Sequence, residues 1–176
     1  MREDYGTQLE NGSLRFVRDL PGPIERVWEY LVDPEKRALW FCGGTMGARA
    51  GDGFTMAFNH DDISHEPLPE RYATMQGGVE MNGTVVTIEP PNLLVMTWDG
   101  DDEETRFELS TQGDRVELIL TQLPPQELFQ IVDMACGWHA HIGILIDQLS
   151  GETPRGFWTE HEGVEAHYRE VITTKV

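Results

Sequence analysis

Cysteine and lysine are scarce in this chain of 176 residues, with two of each: Cys42, Cys136, Lys36 and Lys175. Two cysteines cannot build a disulfide framework, and neither belongs to a C-x-x-C motif, so free thiols are expected in place of a zinc knuckle or a dithiol centre. The shortage of lysine leaves 13 basic residues against 31 acidic ones, a formal net charge of −18. A field of that sign repels phosphate, so nucleic acid and anionic membrane surfaces are not expected as partners. A homodimer and a basic protein partner stay open. No uninterrupted apolar run approaches the roughly 18 residues of a membrane span, and no basic-then-apolar leader opens the chain. The expectation is a soluble, cytoplasmic protein.

Familiar catalytic signatures are also missing. No G-x-S-x-G, G-x-G-x-x-G or G-x-x-x-x-G-K-[ST] occurs, which removes the usual nucleophile elbow and phosphate loops. Six histidines invite a metal reading, but their spacing is poor. His139 and His141 lie roughly 200° apart around a helix, and His65 and His161, each followed by glutamate, lack the second histidine of H-E-x-x-H. His161 and Glu165 can share a helix face, which is one pair only. No metal, no cofactor and no catalytic residue is expected from these patterns.

What is present is a regular alternation of short strand-like runs, followed by one long helix. Ser13 to Leu20 alternates, with Leu14, Phe16 and Leu20 on one side, as a half-buried strand does. Ile24, Val27, Trp28 and Leu31 then recur at helical spacing, and Asp33-Pro34 ends that helix and starts a second, short one. Gly51-Asp52-Gly53 reads as the turn of a hairpin between Thr45 to Ala50 and Phe54 to Asn59. The polar segment His60 to Gly78 has neither period and is assigned to a long loop. Val79 to Glu89, Leu93 to Trp98, Thr105 to Ser110 and Val116 to Gln122 form an antiparallel meander, broken at Pro90-Pro91-Asn92, Gly100-Asp101-Asp102 and Gln112-Gly113-Asp114.

From about Pro125 to Ser150, apolar residues repeat at steps of three and four. Leu128, Ile131, Ala135, Trp138, Ile142, Leu145 and Leu149 fall on one stripe, long enough to bury against a whole sheet. Gly137, inside this helix, costs about 1 kcal/mol relative to alanine, so either a close backbone approach or a tolerated kink is expected there. A break at Gly151 to Arg155 precedes a weaker amphipathic helix carrying Trp158, His161, Val164, Tyr168 and Ile172. One domain is predicted over residues 13–150, with an arm at 1–12 and a helical extension at 151–176.

The large and adaptable apolar side chains suit two readings. They form a close-packed core, or they line a pocket for an apolar or aromatic molecule. The second reading places Trp40, Phe54, Met81, Trp98, Phe107, Met134, Trp138 and Ile142 in the wall.

Several short motifs occur in a telling order: Trp40-Phe41 after Asp33-Pro34, Gly83-Thr84-Val85 leading to Pro90-Pro91, Val95-Met96-Thr97-Trp98, and Gly137-Trp138 before Leu149. In this the chain resembles the homologues of the activator of Hsp90 ATPase, a branch of the START-like or Bet v 1-like superfamily, over residues 13 to 150. The resemblance implies an α+β helix-grip fold, a curved antiparallel sheet wrapped around the long C-terminal helix. The His60 to Gly78 loop and residues 151–176 depart from the family pattern, and either can cover a cavity mouth. The functional expectation is binding of a small hydrophobic or aromatic molecule between helix and sheet, without covalent chemistry. One alternative is an enzyme acting on a hydrophobic substrate there, with Arg18, His139 and Asp147 as its polar candidates. The other is a co-chaperone-like interaction module using the acidic surface.

Overall fold

The computed structural model describes residues 5–99, 103–123 and 127–173. Along the chain run β1 (Thr7–Gln8), β2 (Leu14–Pro21), α1 (Ile24–Val32), α2 (Pro34–Arg37), β3 (Gly43–Met46) and β4 (Gly53–Phe58). After two 3-10 turns, His60–Asp62 and Glu70–Met75, come β5 (Val79–Glu89), β6 (Leu93–Trp98), β7 (Glu104–Gln112), β8 (Arg115–Gln122), α3 (Leu128–Ser150) and α4 (Phe157–Val171). The strands pair antiparallel in one sheet of order β1-β2-β8-β7-β6-β5-β4-β3. The predicted turn at Gly100-Asp101-Asp102 and the predicted helix start at Pro125 lie outside the described residues.

Alternation in the strands decides which face of the sheet is apolar. Phe16 stands opposite Leu120, and Leu20 opposite Val116, while Phe107 faces Leu120 and Leu109 faces Leu118 on the next ladder. All are almost fully buried, so a one-residue slip would turn the whole set to solvent. At the other end β5 shifts register between Val85 and Thr87. There the Val85 amide donates to Asp52 O, and Val85 O accepts from Gly51. Such a bulge bends a strand. This is the expected helix-grip arrangement.

The Asp33 side chain caps α2 by accepting from the Glu35 and Lys36 amides, with Pro34 as first helical residue, the preferred chemistry of a helix start. The predicted strand from Thr45 to Ala50 is corrected. β3 stops at Met46 because residues 47–52 make the turn, where Asp52 Oδ2 accepts from the Arg49 amide. The predicted loop from His60 to Gly78 is corrected in part, since it holds both 3-10 turns and buries Tyr72.

Helix α3 buries more than one stripe. Ile131, Ala135, Trp138, Ile142, Leu145 and Leu149 are buried as the periodicity predicts, whereas Leu128 is 43% exposed at the first turn. Val132, Cys136, Ala140 and Ile144 are buried as well, on faces the sheet alone does not require. The packing of α4 accounts for them: its Phe157, Trp158, Val164 and Tyr168 share one apolar core with the sheet and α3. Contrary to the sequence expectation, α3 is long and apolar enough to cross a membrane by length and composition, but most of its apolar window is buried inside the fold. Gly137 makes no close approach, because a Cβ built there meets nothing within 4 Å. The two chain ends are tied together, with the Gly6 amide donating to the Tyr168 hydroxyl at 2.8 Å and Gln8 bonded to the Thr173 backbone.

Candidate functional site

The segment between β4 and β5 is fastened across the molecule onto α4. The Ser64 hydroxyl accepts from the Phe157 amide at 3.1 Å, and Glu66 Oε2 accepts from the amides of Trp158 and Thr159 at 2.8 and 3.0 Å. A carboxylate at a helix N-terminus satisfies orphan N–H groups and meets the positive end of the dipole. Burial would raise the Glu66 pKa, but these bonds and the Thr159 hydroxyl hold it below the ordinary carboxylate value. At Gly156 a Cβ would stand 2.3 Å from the Glu66 carboxyl carbon, so a side chain there would push the carboxylate out of these bonds.

Under this strap, between α3, α4 and the concave sheet, lies a cavity of about 400 Å³. That volume falls within the range of small-molecule sites. Its apolar wall is made by Phe41, Phe58, Met75, Met81, Trp98, Phe129, Met134, Trp138, Phe157 and Trp158, with Gly137 contributing bare helix backbone. The rings are interlocked: Phe41 stacks on Trp138 at 4.9 Å, and Phe58 meets Phe41 edge-on at 5.0 Å. Trp98 Nε1 donates to Thr105 Oγ1, Thr105 Oγ1 donates to Gln122 Oε1, and Trp138 Nε1 donates to the same oxygen. Both indole N–H groups are thus consumed by one buried network.

The opposite wall is polar. The Tyr72 hydroxyl donates to Asp133 Oδ1 at 2.5 Å, and His161 Nε2 lies 3.3 Å from the same oxygen. Burial works to raise the Asp133 pKa, but His161 and Tyr72 outweigh it and keep the carboxyl below its usual value. Tyr72 is pushed upward by burial and by its bond to Asp133, so it stays a phenol. His60 and His141 also line the cavity. Burial, with repulsion from His161, lowers His60 to about 4; burial, with repulsion from His60, lowers His141 to about 3. Both are neutral at pH 7. His141 Nδ1 bonds to Trp40 O at 2.8 Å, which makes Nδ1 the protonated nitrogen. Among the described lining residues, two buried polar atoms have no partner, Trp158 Nε1 and His161 Nδ1.

Of the side chains expected in the wall, the structure brings Met81, Trp98, Met134 and Trp138 to the cavity and leaves Trp40, Phe54, Phe107 and Ile142 outside its lining. Each of these four is spent on packing one layer back. Trp40 stacks on Phe41 and donates Nε1 to Tyr30 O. Phe54 packs edge-on against Trp98, Phe107 edge-on against Trp138, and Ile142 is wholly buried. The polar candidates are likewise elsewhere. Arg18 lies over Phe16 and donates to Val17 O, and His139 Nδ1 contacts the Tyr168 hydroxyl. Asp147 is locked in a two-pronged pair with Arg155. Sequence reasoning missed Tyr72, Asp133 and His141. Only the His161 position on the α4 stripe was visible beforehand, since the other three are joined by long-range packing.

Among the described residues no group of three or more His, Cys, Asp and Glu side chains is arranged to hold a metal. Cys42 and Cys136 are free and buried, each thiol pushed up to about 12 by burial, which makes both poor nucleophiles.

No curated protein matches the chain in sequence. Among solved structures, a protein of Bordetella parapertussis determined by solution NMR is 39% identical, with a TM-score of 0.81, over 94% of this chain and 89% of its own. CalU16 of Micromonospora echinospora shares the fold at 20% identity and a TM-score of 0.68, over 96% of this chain and 94% of its own. DynU16, a protein in the dynemicin biosynthetic locus, shares it at 19% identity and a TM-score of 0.64, over 81% of this chain and 48% of its own. The family model described as activator of Hsp90 ATPase homolog 1-like protein matches residues 21–150, and with that match running from the end of β2 through α3, this chain belongs to the activator of Hsp90 ATPase homolog 1-like family.

Proposed function

We propose that the protein binds a small, largely aromatic or hydrophobic molecule in the cavity between α3 and the sheet, without forming a covalent bond to it. The observation that carries this reading is the cavity itself, about 400 Å³ of space lined largely by aromatic rings. Turning the indole N–H groups of Trp98 and Trp138 into the wall network leaves apolar ring surface toward the cavity, part of the Trp138 face being covered by Phe41. Burying a large apolar group contributes about 1.5–3 kcal/mol before ordering costs, so a ligand must bury several such groups to approach the roughly 8 kcal/mol of micromolar binding.

Titration of lipophilic aromatic compounds, followed by tryptophan fluorescence and by NMR, tests the reading. Binders are expected to shift resonances of Trp98, Met134 and Trp138, and Met134→Trp is expected to displace them by filling the chamber. A folded protein that takes up none of them, or binds them equally well with Met134→Trp, overturns it.

A second reading, proton transfer to or from a bound substrate, is favoured by the placement of Asp133 and His161 side by side in the cavity lining, with His161 Nε2 3.3 Å from Asp133 Oδ1. Turnover of a bound compound that His161→Gln abolishes without loss of binding would support it, whereas unchanged ligand after prolonged incubation would count against it.

A further inference from the structure

The charge pattern of the wall narrows the class of ligand, an inference that rests on the binding reading above. The charged side chains among the described lining residues are two carboxylates, Glu103 and Asp133, and no lysine or arginine accompanies them. Asp133 is the better placed. Its Oδ1 is occupied by Tyr72 and His161, its side chain is 37% exposed, and Oδ2 has no hydrogen bond among the described residues. The polar wall therefore offers a carboxylate oxygen that has no hydrogen-bond partner among the described residues.

The cation that acts on Asp133 from outside, Arg71, is already claimed. It pairs with Glu165 at 2.8 Å and Glu162 at 3.6 Å while lying over the Tyr72 ring. With no lysine or arginine among the described lining residues, the neutral donors there are too little to hold an anion beside Asp133 in a protein of net charge −18. Aromatic ring faces attract cations in their own right, and the overall field draws them in.

We infer that the ligand is a basic aromatic compound, its protonated amine hydrogen-bonded to Asp133 Oδ2 and its ring system held against Phe41, Trp98 and Trp138. Fatty acids, acyl phosphates and other anionic amphiphiles are excluded by the same wall.

Three probes of nearly equal shape separate this inference from the reading beneath it: naphthylmethylamine, naphthylmethanol and naphthoate, titrated by calorimetry at neutral pH. The amine is expected to bind about tenfold more tightly than the alcohol, as one charge-assisted hydrogen bond provides, and naphthoate more weakly than either. Asp133→Asn is expected to bring the amine level with the alcohol. Added salt is expected to narrow the gap in the unmutated protein, a readout independent of any variant. Alcohol binding without an advantage for the amine, or an advantage that survives Asp133→Asn, overturns the inference and leaves the binding reading standing. Binding of none of the three overturns both.

Discussion

The hydroxyl of Tyr72 reaches from the strap between β4 and β5 to Asp133 on the central helix, donating to Oδ1 at 2.5 Å across 61 residues of chain. The same ring stacks on Trp158 of α4 at 4.8 Å. One side chain thereby joins the strap, α3 and α4 at the cavity edge. It also sets the orientation of the only carboxylate that α3 contributes to the lining.

Tyr72→Phe keeps the stacked ring and removes the hydrogen bond. A hydrogen bond to a charged acceptor, partly exposed as this one is, contributes about 1–2 kcal/mol. Urea denaturation is expected to show a loss of that size, and hydrogen exchange is expected to quicken in residues 60–78 more than in β7 or β8. Equal protection in the strap would mean that Ser64 and Glu66 hold it unaided.

At Gly137 the expected direction is opposite. The residue sits inside α3 with no atom within 4 Å of a built Cβ, so Gly137→Ala is expected to stabilise by about 0.5–1 kcal/mol through helix propensity. Gly137→Leu projects a larger side chain into the cavity that this position lines. It is expected to keep the fold, as judged by thermal melting, while abolishing binding of whatever aromatic probe the unmutated protein accepts.

Acid is expected to destabilise the protein by a route that the histidines dominate at first. His60 and His141 have folded-state pKa values of about 4 and about 3, below the ordinary 6.5. Between those limits the unfolded chain binds more protons than the folded one, so stability rises with pH there. Their contribution is complete above about 6.5 and is lost as pH falls toward the folded values. Asp61 and Asp133 oppose the shift at His60, and the Trp40 carbonyl opposes it at His141. Denaturation midpoints measured from pH 7.5 to 4.5 are expected to fall, and His141→Gln is expected to flatten the slope. A slope unchanged in that variant would remove His141 from the account.

How much could be read beforehand depended on the range of the interactions involved. The strands β2 and β5 to β8 and the helices α1 to α4 were legible because alternation and helical spacing are local patterns, and Asp33-Pro34 announces its helix start chemically. The Trp98, Met134 and Trp138 positions followed from the same periods. Trp40, Phe54, Phe107 and Ile142 share those periods and yet lie one layer behind the cavity, because periodicity says which face is buried and not how much space remains beside it. The strap was read as a loop for want of any period, and its order comes from contacts such as Ser64 to Phe157, 93 residues apart.

By itself, the amino-acid sequence determined the order of strands and helices, the acidic charge and the apolar stripe of α3, since each depends on residue type and on spacing along the chain, while the helix-grip architecture was implied by the resemblance of its motifs to a family. Only the tertiary structure decided that α4 covers the second face of α3 and that Tyr72, Asp133 and His161 meet at the edge of an aromatic chamber. The physical reason is that packing of elements far apart in the chain sets both the empty volume and the polar contacts of a cavity, and no local pattern encodes either.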